Sequence, residues 1–113
     1  MKGAMLTIRP DRGAECVPLD RCPNLHELKE RIGGGFLEVV PWFRSIEIKG
    51  ELHRCAVFVD EDGKHKGLTP NIFATYLWNL ELIRQGRKAQ VGEDYLAGPV
   101  CIVVGDDELL EEL

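Results

Sequence analysis

The spacing of apolar positions along the chain switches repeatedly between the period of a strand and that of a helix, and each switch predicts an element boundary. Met5–Ile8 and Glu15–Leu19 read as two short strands around Arg9-Pro10-Asp11-Arg12-Gly13, whose Pro, Asp and Gly suit a tight turn. An N-terminal β-hairpin is therefore expected. Asn24 can cap a helix in which Leu25, Leu28 and Ile32 recur at helical spacing, with Glu27 placed for a capping box and Gly33 past the end. The stretch Gly33–Trp42 (GGGFLEVVPW) then runs extended and reads as the structural centre of the fold, with Leu37 and Val39 on one face and Phe36, Glu38, Val40 and Trp42 on the other. Pro41 has no N–H to donate, so regular pairing should stop there.

Further on, Ile46 and Ile48 alternate with Glu47 and Lys49, Gly50-Glu51 turns the chain, and Cys55–Val59 forms a second β-prone run ended by Asp60-Glu61-Asp62-Gly63. Thr69 is expected to cap the longest helix, with Pro70 in its first position. Ile72, Phe73, Tyr76, Leu77, Leu80 and Ile83 form its predicted buried stripe, and Trp78 falls outside it. Val100–Val104 is continuously apolar, as in a strand buried on both faces. Asp106 can cap a last short helix carrying Leu109, Leu110 and Leu113. The order is β-β-α-β-β-β-α-β-α: an α+β fold, a single domain over residues 1–113, with two or three helices on a mostly antiparallel mixed sheet of about five to six strands. Phe36, Val40, Val57, Phe73, Leu77, Leu80, Ile102 and Val104 are the expected core.

Charge changes this picture at one end only. The net charge is −5, yet five carboxylates lie in the last eight residues, and without them acidic and basic residues balance at 14 each. A neutral body argues against direct nucleic-acid binding, which needs a basic surface. The four cysteines form no C-x-x-C pair and read as free thiols of a reducing cytoplasm. Cys22 with His26 lacks further ligands for a metal, and Asp60–Gly63 lacks the ladder of a calcium loop, so no metal or cofactor is expected. No apolar run is long enough to span a membrane.

Candidate chemistry is sparse. Cys55 near His53 is the one local nucleophile–base pair, and core and rim roles suit the two better. An anion or partner site is expected at Lys64, His65, Lys66, Gly67, Thr69 and Asn71, where basic residues and a glycine precede a helix start with unpaired N–H groups. Trp42, Arg44 and Trp78 are the expected partner contacts, as aromatic and arginine side chains on a neutral surface.

Several blocks also carry a resemblance. Gly34-Gly35 with Phe36–Pro41 (GGFLEVVP), the stretch VFVDEDGKHKGLTPN ending at Asn71, Thr75 with Leu77-Trp78, and Gly98 with Ile102–Gly105 together resemble the family described as domain of unknown function 3846. The resemblance covers most of the chain and departs from the usual pattern at Trp42–Arg54 and in the long helix after Asn71. It implies a small non-enzymatic accessory protein of a bacteriophage, plasmid or other mobile element, acting in the cytoplasm of a bacterial host. The expected role is binding and inhibiting a host defence or regulatory protein, such as a restriction or CRISPR component. The alternative is a small-ligand binder that sequesters a nucleotide or other anionic signal. Expected partners are thus a host protein, an anion, or a second copy of the chain, with neither nucleic acid nor membrane.

Overall fold

The computed structural model describes residues 1–113, in the order β1 (Gly3–Ile8), β2 (Ala14–Leu19), α1 (Leu25–Arg31), β3 (Leu37–Val39), β4 (Ser45–Ile48), β5 (Glu51–Asp60), α2 (Ile72–Arg84), β6 (Val100–Gly105) and α3 (Asp107–Glu111). This is the predicted α+β order, and every strand pairing is antiparallel, so the sheet is not mixed. The strands run β2-β1-β6-β5-β3, with β4 also on β5.

The centre of this sheet is β6. Val100, Ile102 and Val104 point into one core cluster, while Cys101 and Val103 point into another, which is why the run is apolar without alternation. Burying each such side chain contributes roughly 1.5–3 kcal/mol. Leu28 and Ile32 of the α1 end and Leu109 of α3 close the second cluster, whereas Ala74, Trp78 and Leu82 of α2 close the first. Helices therefore cover both faces.

Local chemistry sets the boundaries. Asn24 accepts from Glu27 N while the Glu27 carboxylate accepts from Asn24 N, a complete capping box. Gly33 and Gly34 follow with φ of 95° and 93°, a left-handed exit in which a side chain is strained. Lys49 and Gly50, both at positive φ, make the two-residue turn between β4 and β5. Asp106 caps α3 by accepting from Leu109 N.

Two expectations are corrected. The GGGFLEVVPW stretch is an edge, not the centre: β3 spans three residues, Phe36 is exposed beside Lys29, and only Val40 of its predicted aromatic face enters the core. Pairing does end before Pro41, since β3 stops at Val39.

The second correction concerns α2, which begins at Ile72 under an Asn71 cap; Thr69 is exposed and Pro70 bridges to Ala97. Its buried face carries Ala74, Trp78, Asn79, Glu81 and Leu82. Ile72, Phe73, Tyr76, Leu80 and Ile83 face outward and Leu77 is half-buried. Polar anchors decide this rotation. Asn71, fully buried, donates from Nδ2 to Ile8 O (2.9 Å) and Gly98 O (3.0 Å) and accepts from Ala74 N. The nearly buried Glu81 is bound from β4, and turning the helix would strand both groups without partners.

Candidate functional site

Both β3 and β4 pair with β5, but between Val39↔Phe58 and Ser45↔Arg54 their chain holds two residues more than β5 does. The excess is taken up by a bulge at Pro41, Trp42 and Phe43. Phe43 turns inward and is buried in the first core cluster. Trp42 turns outward, 40% exposed, with φ of 64°. A bulky residue in the left-handed region costs roughly 1–2 kcal/mol and persists only where its surroundings hold it.

The hold comes from α2 and its exit. Trp78 Nε1 donates to Pro41 O (3.0 Å), and Gln85 Nε2 donates to Trp42 O (2.7 Å). Glu81 Oε2 accepts from Ser45 Oγ (2.7 Å), Gln85 Nε2 (3.0 Å) and Arg44 N (3.2 Å), while Oε1 accepts from Arg84 Nη1 (2.7 Å). Burial alone would raise the Glu81 carboxyl, but the bonds from Ser45, Gln85, Arg84 and the Arg44 backbone outweigh it and hold the group below its usual range.

What the bulge displays is an indole with two guanidinium groups against its ring. The Arg87 guanidinium lies 3.3 Å from the Trp42 ring centroid and that of Arg44 4.8 Å. Arg84 is neutralised by Glu81, but neither Arg44 nor Arg87 has a carboxylate within ion-pair reach. Of the expected partner contacts, Trp42 and Arg44 thus come together at the surface. Trp78 does not: at 4% exposure it is a core residue that supports the bulge from beneath. In the sequence Arg87 is marked only by its place just past the α2 end, where a cation suits the helix dipole. Gly86, at φ 74°, reverses the chain after the helix, and Arg87 lies over Trp42.

The segment expected to bind an anion is organised differently. Lys64 is paired with Asp94 and lies 4.8 Å from the Tyr95 ring centroid. Lys66 Nζ donates to Asp60 Oδ2 (2.7 Å), and this bond chiefly holds the nearly buried Asp60 carboxyl below its usual range. His65, Gly67 and Thr69 are exposed, whereas Asn71 is fully buried and spent on capping α2. The adjoining cleft, about 240 Å³, is walled by Glu38, Asp60, Glu61 and Asp94 against Lys64 alone. An anion entering it would meet more carboxylate than ammonium.

The Cys55 thiol is pushed up to about 12 by burial, with the Glu81 charge adding to it, so at neutral pH it is not a thiolate for His53 to assist. No group of three His, Cys, Asp or Glu residues is arranged to hold a metal ion, and no helix is long and apolar enough to cross a membrane. Comparison of the chain with protein-family models, with curated proteins and with solved structures gave no match.

Proposed function

We propose that the chain is a protein-binding accessory factor of a bacteriophage or other mobile element, acting in the cytoplasm of its bacterial host. It engages an acidic surface of a host defence or regulatory protein through Trp42, Arg44 and Arg87 and acts by occupying that surface. The mobile-element setting rests on the sequence resemblance. The binding surface rests on one observation: an exposed tryptophan held in a left-handed bulge with two unneutralised arginines against its ring. Bulges commonly re-aim a side chain beside a functional site. Tryptophan and arginine are also the residues that most often dominate interface energy, each hot spot contributing about 2 kcal/mol or more. Sequestration of a nucleotide is the weaker reading, because Lys64 and Lys66 are already paired to carboxylates.

The test compares wild type with Trp42→Gly and Arg44→Glu in bacteria carrying a restriction or CRISPR system, scoring phage survival and co-purifying molecules. Glycine accepts the left-handed backbone, so Trp42→Gly removes the contact without straining the fold. Loss of both protection and a retained host protein in the two variants, at unchanged thermal stability, is the expected result. Equal protection by all three chains would remove the cluster from consideration. A nucleotide released on denaturing all three would favour sequestration.

A further inference from the structure

The outward face of α2 has no partner within the chain. Ile72, Phe73, Tyr76, Leu80 and Ile83 are 36–68% exposed, and the one charged residue between Ile72 and Ile83, Glu81, is turned inward. A solvated helix face normally carries charge. Here charged residues make up 29% of the chain, yet this face has none from Ile72 to Ile83. At ~200 Å² for a fully exposed side chain of this size, the five expose about 500 Å², near the upper end for a patch on a monomer.

We infer that a second copy of the chain covers this face, with α2 packed antiparallel on α2 across a twofold axis. The spacing is self-complementary. Phe73, Tyr76, Leu80 and Ile83 are separated by three, four and three residues, the heptad seam of a helix pair, and that series reads the same in both directions. An axis at the level of Trp78 sets Phe73 against the partner's Ile83 and Tyr76 against the partner's Leu80, an aromatic over an aliphatic side chain each time. The area is also sufficient. Two such patches supply about 1,000 Å², the threshold of a specific interface, before rim residues such as the exposed Val91 are added.

Glu93 and Asp94, which border the stripe beside Ile72 and Tyr76, and Arg84 near its other end are each already paired within the chain, to Lys88, Lys64 and Glu81, so charge leaves the apolar spacing to set the register. The antiparallel sense sets the two helix dipoles in opposition. Because the Trp42 bulge is tied to the α2 exit at Gln85, the pairing carries the two bulges to opposite ends of the helix pair. If the Trp42 surface is the binding surface proposed above, the pair presents two copies of it.

Sedimentation across the micromolar range tests the pairing apart from the Trp42 reading. The expected mass is twice that of the 12.7 kDa chain. Tyr76→Glu combined with Ile83→Glu should raise the dissociation constant at least about 100-fold with an unchanged far-ultraviolet spectrum, since both sites are exposed. Trp42→Gly should leave the mass unchanged. In a Cys16→Ser, Cys22→Ser background, oxidising a mixture of Phe73→Cys and Ile83→Cys chains should give a disulfide-linked dimer. Phe73→Cys alone should not, because the two copies of position 73 lie about 15 Å apart in the antiparallel register. A monomer throughout the range, a dimer indifferent to the two glutamates, or self-cross-linking of Phe73→Cys would each overturn the inference.

Discussion

Replacing Asn71 by Ala should cost about 3–7 kcal/mol, because one fully buried side chain joins three parts of the fold. Its Oδ1 accepts from Ala74 N (3.1 Å), and the loss of such a cap costs about 1 kcal/mol. Its Nδ2 donates to Ile8 O at the end of β1 and to Gly98 O before β6, and each buried carbonyl that loses this donor adds about 1–3 kcal/mol. Against a total stability of ~5–15 kcal/mol this is a large share, read as a shift of the urea midpoint by far-ultraviolet dichroism. Asn71→Asp separates the terms. It keeps the cap but turns an oxygen toward two carbonyl oxygens, so its folded pKa is raised above the unfolded value of about 4. The added penalty is absent below the unfolded value and grows as pH rises toward the folded one. A loss under about 1 kcal/mol in the alanine variant, or an aspartate variant as stable as wild type at neutral pH, would refute the joint role of this residue.

Leu82→Ala should cost about 2–5 kcal/mol in a urea melt, whereas Phe73→Ala, measured where the chain is monomeric, should cost under about 1 kcal/mol; the reverse order would place the other face of α2 on the sheet. A thiol reagent should label Cys16 first in the native protein and reach Cys55 and Cys101 only on unfolding, since burial pushes both thiols up to about 12; prompt labelling of all four would contradict their burial. Stability should fall as pH drops below about 4.5, because the Asp60 and Glu81 carboxyls are depressed in the fold from ordinary values of 3.8 and 4.5 and must be protonated to unfold in acid. Asp60→Asn with Glu81→Gln should flatten that limb of the pH profile, and an unchanged slope would show that other carboxylates control it.

Local signals set much of this molecule. The element order, the capping box of Asn24 and Glu27, the Asp106 cap and the two-faced burial of Val100–Val104 follow from patterns a few residues wide, because caps and strand periods act over one or two turns of chain. Three matters were decided only when distant segments met. Edge or centre was one: Leu37–Val39 lies outermost because β6, arriving last in the chain, pairs between β1 and β5. The facing of α2 was another, since apolar residues surround that helix and buried bonds from Asn71 and Glu81 outweighed the broader stripe. The candidate site was the third. Trp42 and Arg44 were visible as residue types, but their cluster needs a bulge set by the register of β3 and β4 on β5 and an arginine delivered from beyond α2. Such pairings depend on which buried polar groups find partners across the fold, and no local window of sequence contains both partners.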